Sequence, residues 1–311
     1  MTRAATKKNK LGKKANRELF LIALPALIKL LIFSYIPMIG IIIAFQQFML
    51  PPNGGIFNSP FIGFKNFEYL VRSIEFRRII TNAVVLNLLG IVVGTVVAIF
   101  LGLLLFEITR KWKIRTVQSI IIIPYFMSWP LVAILLNSMI DADVGVLTSL
   151  FEKLFGTRIM FYERPELWRA IITIAVVWKG AGLSCIIYYA TLMGADSQIY
   201  EAADIDGAGR YRKMWYLSLP HLKFMIIISV IMSTANIVRY DFNTIYFLTQ
   251  NSPLLYRTTD VIETYMFRAL RLNTDYSIGT ATGLMQGVAG LILSFITNWV
   301  CGKIDRRSRI Y

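Results

Sequence analysis

Long apolar runs alternate with polar connections along this chain, and the pattern predicts transmembrane helices. A helix rises 1.5 Å per residue, so about 20 apolar residues cross the roughly 30 Å hydrocarbon core of a bilayer. Six runs are long enough, and the predicted fold class is therefore an all-α integral membrane protein with six transmembrane helices. The predicted spans are 19–45, 79–106, 117–140, 169–193, 222–247 and 280–301.

Several residues inside these runs predict local features of the helices. Proline removes a backbone donor and bends a helix, glycine allows close packing, and asparagine forms hydrogen bonds between membrane helices. The positions are Pro25, Pro37 and Pro124 for bends, Gly90, Gly94 and Gly102 for close packing, and Asn82 and Asn87 for interhelical hydrogen bonds.

The composition agrees with a membrane protein. The 311 residues are 56% hydrophobic, with a mean hydropathy of +0.58, which is more apolar surface than a soluble protein of this size can bury. The net charge is +15, from 33 Lys+Arg against 18 Asp+Glu. The basic residues cluster beside the apolar runs, which indicates topology and contact with anionic lipid headgroups. Nucleic-acid motifs are missing from the sequence, so membrane lipids are expected partners and nucleic acid is not.

The positions of Lys and Arg predict the orientation. Basic residues are concentrated in the two tails and in the connections 107–116 and 194–221, which would all lie on one side of six crossings. The positive-inside rule then places both termini in the cytoplasm. The outer connections also carry basic residues, among them Arg72, Arg77 and Arg78, so the contrast is incomplete.

Four regions follow from this division of the chain. The first apolar run is longer than the core of a signal peptide and lacks an A-x-A cleavage site, so we interpret it as a retained membrane anchor. The regions are a basic cytoplasmic tail (1–18), a first transmembrane helix with an outer loop (19–78), a transmembrane core (79–301) and a second cytoplasmic tail (302–311).

The sequence offers little for catalysis or metal binding. His221 is the single histidine, which argues against Ser-His-Asp chemistry and histidine metal clusters, and no catalytic or metal-binding residue is predicted. Cys185 and Cys301 both lie in apolar runs, so a disulfide framework is not expected. The chain also lacks the G-x-x-x-x-G-K-[ST] phosphate loop, and we expect no cofactor bound to it.

A polar, helix-compatible segment, EAADIDGAGRYRKMWYLSLP (201–220), lies between the fourth and fifth runs. Alanines keep one side of its first predicted helix slim, and Gly207 allows a bend. Met214, Trp215 and Leu217 offer an apolar surface, which favours docking of a helix into a groove of a partner. The alternative is an ordinary helical hairpin that packs under its own membrane helices.

The segment resembles the cytoplasmic coupling loop of ATP-binding-cassette (ABC) importer permeases. One departure is Met214, where the family commonly has Phe; since Met fills an apolar pocket flexibly, docking is expected to survive. The positions that match in order and spacing are Glu201, Ala202, Ala203, Asp206, Gly207, Ala208, Leu219 and Pro220.

The resemblance covers nearly the whole chain after about residue 19. Residues 178–209 resemble carbohydrate-type permeases. Residues 22–48, 121–133 and 258–284 resemble a subgroup, the permeases of lipoprotein-dependent oligosaccharide and polysaccharide-fragment importers of Gram-positive bacteria.

This resemblance implies a type I importer permease fold in a bacterial plasma membrane. It also implies four kinds of partner: a second homologous permease, two cytoplasmic ABC ATPase subunits that bind ATP and Mg, an extracellular lipid-anchored solute-binding protein, and a carbohydrate substrate. The ATPase-coupling residues would be Glu201, Ala202, Ala203, Asp206, Gly207, Ala208, Met214, Leu217 and Pro220.

Candidate substrate-pathway residues lie in the fifth and fourth runs. Asn236, Arg239, Tyr240 and Asn243 fall at i, i+3, i+4 and i+7, which puts them on one face of a continuous helix. There they would bind sugar hydroxyls, or a uronate. They would equally suit the membrane interface, or bonds to the partner permease alone. Further candidates midway along the fourth run are Trp178 and Lys179.

Two other functional classes compete with an importer permease. A secondary transporter or channel usually carries buried acids for coupling ions and often inverted repeats, whereas these runs are nearly free of Asp and Glu. A membrane scaffold or enzyme would leave the detailed match at 201–220 unexplained.

Overall fold

The computed structural model describes residues 18–52 and 54–304, most of which are helical. Five helical segments are long and apolar enough to cross a membrane, and a sixth crossing is a pair of helices bent by 95°. The predicted all-α fold with six crossings is confirmed. The elements are α1 (Glu18–Phe45), α2 (Lys65–Arg72), α3 (Ile74–Phe106), α4 (Lys111–Phe126), α5 (Trp129–Ile140), α6 (Val146–Phe155), α7 (Pro165–Met193), α8 (Ser197–Ile205), α9 (Arg210–Lys213), α10 (Leu219–Thr234), α11 (Phe242–Thr249), α12 (Tyr256–Thr259), α13 (Ile262–Phe267) and α14 (Tyr276–Ile304).

The third crossing is the bent pair α4 and α5. Pro130 lies in the first turn of α5 and has no N–H to donate to the carbonyl of Phe126, so a continuous helix cannot form there. The bend predicted from Pro124 is present in this crossing, but the break follows that proline, at residues 127–128.

The fifth apolar run is also interrupted, and the crossing itself is the helical segment Arg210–Thr234. The prediction of one helix over 222–247 is wrong, because α10 ends at Thr234 and α11 begins at Phe242. Residues 235–241, called the break below, consist of turns and irregular backbone.

The helices α3 and α7 pack closely at the centre of the bundle. A Cβ on Gly102 would lie 3.0 Å from Cβ of Tyr188, so close packing at this glycine is confirmed. Gly94 makes only an ordinary contact with Val177. The prediction is wrong for Gly90, which has no atom near its Cβ position because it faces a cavity.

Side-chain contacts show which connections share an end of the bundle. At one end, the backbone N–H of Phe48 donates to Oγ of Ser277 at the start of α14. At the other end, Arg210 approaches Glu107, with Nε and Oε2 3.7 Å apart. The connection after α3 therefore lies beside residues 197–218, as the alternation of six crossings requires.

Three buried apolar clusters hold the bundle together. One surrounds Trp168 among α3, α5, α7 and α11, and a second surrounds Leu222 among α3, α7 and α10. The third, around Ile79, joins the end of α1 to α2, α3, α13 and α14. Most of α1 stays exposed, so its long apolar surface is free for lipid or another chain.

A substitution at Gly182 tests the packing of α4 on α7. A Cβ there would clash with the carbonyl oxygen of Ile121, whereas nothing lies within 4 Å of a Cβ on Gly290. Gly182→Ala is expected to destabilise the fold by about 1–3 kcal/mol, as overpacked cores do. Fluorescence-detected size-exclusion chromatography after heating measures the surviving folded fraction. Equal survival of Gly182→Ala and the control Gly290→Ala would contradict the close approach.

Candidate functional site

Residues 197–218, called the coupling segment below, project from one end of the bundle. The carboxylate of Asp196 accepts from the backbone N–H of Gln198 and caps the start of α8. At its end, the N–H of Gly207 donates to the carbonyl of Asp204 and that of Ala208 to the carbonyl of Ala203, which forms a Schellman motif. Gly207 has φ +72°, a conformation that favours glycine, and the chain turns there into α9.

Polar and aromatic contacts fasten this segment to the bundle. Nζ of Lys213 lies 2.6 Å from Oδ1 of Asp204 and joins α9 to α8. The hydroxyl of Tyr200 bonds that of Ser218 at 3.1 Å, and its ring packs edge-on against Phe106 of α3, with centroids 5.4 Å apart. A force on α8 therefore reaches both α3 and the start of α10.

The outer surface of the coupling segment carries large apolar side chains. Ile205 is 88% exposed and Tyr211 82% exposed, and Ile199 and Tyr216 are exposed as well. Ile199 and Ile205 lie on α8, outside the segments long and apolar enough to cross a membrane, and exposed apolar groups there favour a protein partner. The predicted coupling residues Glu201, Ala202, Asp206, Gly207 and Pro220 share this exposure, and Ala203 and Ala208 are half-buried.

The structure exposes only part of the apolar surface that was predicted from Met214, Trp215 and Leu217. Trp215 is 67% exposed, as expected. Met214 instead packs inward against the cluster around Leu222, and Leu217 is half-buried, because the helical turn after α9 aims both toward the bundle. Ile205 and Tyr211 were missed. The signal for Ile205 was its place four residues after Glu201, on the same side of α8.

A cavity of about 600 Å³, called cavity one, opens among α3, α7 and α10. Small and hydroxyl-bearing residues make up much of its wall, and Trp129 contributes an indole ring. Cavities of this size that combine apolar walls with a few polar groups are typical binding sites for small molecules. Its polar lining residues include Asn87, Thr95, Ser184, Ser229, Ser233, Tyr240, Asp241 and Thr244.

A second cavity of about 430 Å³, cavity two, lies on the other side of the break, against α13 and α14. It has apolar walls with a charged and amide-bearing rim. Tyr240 and Asp241 line both cavities, so the end of the break separates them. The remaining lining residues are Arg239, Phe242, Glu263, Met266, Phe267, Leu270 and Gln286.

Side chains from three helices satisfy the backbone of the break. Nδ2 of Asn87 on α3 donates to the carbonyls of Ile237 at 2.8 Å and Arg239 at 3.0 Å. From α14, Nε2 of Gln286 donates to the carbonyl of Val238 at 3.2 Å. Irregular backbone at membrane depth persists only where other protein groups bond to it.

The end of the break is held in the same way. The backbone N–H of Tyr240 donates to Oε1 of Glu263 on α13 at 3.0 Å. Oδ2 of Asp241 accepts from the N–H of Thr244 at 2.9 Å and from its hydroxyl at 2.6 Å, and so caps α11. Asn87, Glu263 and Asp241 thus favour an interruption over a continuous helix.

The prediction that the fifth run carries these polar residues on one face of a helix is wrong. Asn236, Arg239, Tyr240 and Asn243 do not follow helical spacing, since the helix stops before the first of them and restarts before the last. Arg239 and Tyr240 line cavity walls, whereas Asn236 and Asn243 line neither cavity.

Lys179 stabilises the bend in the third crossing. Its Nζ donates to the carbonyl of Tyr125 at 2.6 Å, near the end of α4, and lies 5.5 Å from the ring centroid of Trp129. A cation at a helix C-terminus is favourable, and here it also fixes the indole that lines cavity one. Trp178 is 47% exposed and lines neither cavity.

Around the two cavities, sequence reasoning missed Trp129, Glu263 and Gln286. Gln286 gave a signal, as a polar residue inside the sixth run, but the groups it bonds lie far away in sequence. Over residues 18–52 and 54–304, the structure groups no three His, Cys, Asp or Glu side chains in a way that would hold a metal ion.

The chain is similar to proteins of one transport family. The family described as "Binding-protein-dependent transport system inner membrane component" matches residues 90–310. Protein LplB of Bacillus subtilis is 32% identical, over 94% of this chain and 91% of its own length. The polygalacturonan/rhamnogalacturonan transport system permease protein YteP of the same organism is 35% identical, over 92% of this chain and 88% of its own.

Solved structures show the same similarity. A chain in the crystal structure of a bacterial ABC transporter involved in the import of the acidic polysaccharide alginate matches with a TM-score of 0.82 and 32% identity. The match covers 95% of this chain and 99% of that one. A chain of the bacterial alginate ABC transporter in complex with an alginate pentasaccharide-bound periplasmic protein matches with a TM-score of 0.81 and 31% identity, covering 94% of this chain and 96% of that one.

Removal of the Asn87 amide tests how the break is held. Asn87→Ala takes away hydrogen bonds to two carbonyls of the break. A hydrogen bond contributes about 1 kcal/mol, so amide exchange in residues 236–241 is expected to speed up about fivefold or more. Hydrogen–deuterium exchange with mass spectrometry measures this. Asn243→Ala, at an exposed amide nearby, is the control, and equal exchange in the two variants would contradict the assignment.

Proposed function

The chain belongs to the family of binding-protein-dependent transport system inner membrane components, and we propose that it is one of two permease subunits of an ATP-driven carbohydrate importer. Members of this family are membrane permeases of ABC importers, whose ATPase is a separate subunit, so the chain is a permease and not an enzyme. The proposed cargo is an oligosaccharide or polysaccharide fragment, which the names of the relatives and the alginate structures support.

The observation that carries this proposal is the coupling segment. Its helix α8 lies outside the segments long and apolar enough to cross a membrane and exposes Ile205, and Tyr200 ties it to α3 and to Ser218 at the start of α10. A self-contained carrier has no need of such a surface. In our proposal α8 docks into a groove of a cytoplasmic ABC ATPase, which binds ATP and Mg, and a second ATPase serves the partner permease.

Movement of α8 has a direct route to the cavities. The α10 helix begins beside the bond between Tyr200 and Ser218, and its 16 residues extend over about 24 Å to the break. When the ATPases close on ATP, α8 and α10 would move as one body and displace Tyr240, which lines both cavities. Linkage requires the reverse as well, so a loaded binding protein outside changes ATPase activity inside.

The proposed orientation follows from that docking site. The protein is a multi-pass component of an inner-membrane transport system. With the coupling segment in the cytoplasm, six alternating crossings place both termini there too, in a bacterial plasma membrane. The basic tails that support this orientation lie almost entirely outside the described residues.

We propose that sugar passes through cavities one and two, at the contact with a second homologous permease. An extracellular, lipid-anchored solute-binding protein would release the sugar to the opposite end of the bundle. Trp129 and Tyr240 offer rings to a pyranose, and the serine hydroxyls of α7 and α10 offer hydrogen bonds. Arg239 supplies a guanidinium to cavity two, and Lys179 positions Trp129. The remaining candidates would face the partner permease: Asn236, Asn243 and Trp178.

A matched pair of glycine variants tests the coupling segment. Gly207→Ala forces a side chain into a left-handed conformation that costs about 1–2 kcal/mol. Gly209 has φ −66° and open space around its Cβ position, so Gly209→Ala is tolerated. We expect ATP-driven uptake by the complex in proteoliposomes to fall about fivefold or more in the first variant and to stay within about twofold in the second.

The same preparations test the subunit composition. When the tagged chain is isolated from its native host in mild detergent, a second six-span permease and an ABC ATPase should co-purify with it. Mass spectrometry identifies them. Isolation of the chain alone, with uptake intact after reconstitution by itself, would overturn the importer proposal.

Replacement of the indole in cavity one tests the pathway. Trp129→Ala is expected to lower the uptake rate at a fixed concentration of loaded binding protein by about fivefold, since aromatic packing worth about 1 kcal/mol is lost. Trp129→Phe should keep at least half of the rate. Trp178→Ala, outside both cavities, is the control and should have a smaller effect. If Trp129→Phe were as impaired as Trp129→Ala with normal folding, ring packing on the sugar would be excluded.

A further inference from the structure

The charge around the two cavities bears on the kind of sugar that passes. Among the described residues that line them, the ionisable groups other than tyrosine are Arg239, Asp241 and Glu263. One guanidinium therefore faces two carboxyl groups, and the lining has no positive excess. A chain of uronates carries one negative charge per ring and would meet no net attraction here.

Arg239 lies close to those acids. It is two residues before Asp241 in the chain. Burial raises the pKa of the Glu263 carboxyl, and the charge of Arg239 only partly opposes that rise. If Glu263 is protonated and neutral, the lining still has one arginine and one aspartate. It therefore has no excess of positive charge in either protonation state of Glu263.

Glu263 has unused hydrogen-bonding capacity. Its Oε1 accepts from the backbone N–H of Tyr240 at 3.0 Å and from Nε2 of Gln286 at 2.6 Å. Its Oε2 is buried and has no hydrogen-bond partner within the part of the chain that the structure describes. An acceptor in that state favours a hydroxyl donor. Both sugar classes carry ring hydroxyls, but at C6 a neutral hexose offers a further hydroxyl donor where a uronate offers a carboxylate, which can only accept.

Part of the wall of cavity two is aromatic. The rings of Phe242 and Phe267 lie 5.1 Å apart between centroids, and Tyr246 stacks on Phe242 at 4.9 Å. A pyranose has an apolar face of C–H groups and a rim of hydroxyls. A wall that combines aromatic rings with a carboxyl and an amide matches both surfaces of one such ring.

We propose that cavities one and two select an uncharged, hydroxyl-rich saccharide over a polyuronate, with Glu263 as the residue that sets this preference. This inference rests on the proposed function and names the substrate class for the same pathway. It separates the chain from its structural neighbour, which is involved in the import of an acidic polysaccharide.

Two matched trisaccharides test the preference. An α-1,4-linked trigalactose and the corresponding trigalacturonate differ only in the oxidation of C6. Their affinities are measured by saturation-transfer NMR on the chain purified from its native host with its accompanying subunits, without binding protein. We expect the neutral sugar to bind at least tenfold more tightly. Tighter or equal binding of trigalacturonate would overturn the inference, and so would binding of neither sugar.

The role of Glu263 is tested by the ratio of the two affinities. Glu263→Gln keeps an oxygen for the N–H of Tyr240 but replaces the second, unpartnered acceptor with an amide donor, so the preference for trigalactose is expected to shrink by at least threefold. Asp275→Asn is the control, because Asp275 lines a different cavity. An unchanged ratio in Glu263→Gln would assign the residue to packing alone. Failure of the proposed function has another signature, the loss of ATPase and partner permease from the preparation.

Discussion

The hydrogen bonds that hold residues 235–241 are the constraint on which the rest of this structure depends. An interrupted helix inside a membrane leaves carbonyl and N–H groups that lipid cannot satisfy. Here Asn87, Glu263 and Gln286 bond to them from three different helices. Because each partner comes from a separate element, the break also fixes the mutual positions of α3, α13 and α14, and the cavities form on its two sides.

This arrangement links both ends of the molecule through one rigid element. The coupling segment is fastened to the start of α10, and the break begins where α10 ends. A helix transmits displacement along its axis with little loss, whereas an irregular segment changes its dihedral angles. Motion that enters at α8 is therefore expected to be absorbed at the break, beside Tyr240, and not distributed over the bundle.

Hydropathy predicted the six crossings, and the polar motif at 201–220 predicted the short helices between the fourth and fifth of them. Both are local signals: apolar length fixes a crossing, and the spacing of Ala203, Asp206 and Gly207 fixes the end of a helix. The break was not predictable in this way. Asn236, Arg239, Tyr240 and Asn243 have helical spacing in the sequence, and the decisive partner, Asn87, lies 150 residues from Ile237. Burial of Met214 likewise depends on the turn after α9, which hydropathy does not encode.

Tyr240 and Asp241 form a partition with a different chamber on each face. A substitution at Tyr240 or Asp241 changes the shape of both chambers at once. A mutation there therefore cannot alter sugar affinity without also altering the transport rate. Residues that line a single chamber, such as Ser184 or Met266, are free of that coupling. Over evolutionary time, new sugar preferences in this lineage should accumulate at such one-sided positions, while the partition drifts slowly.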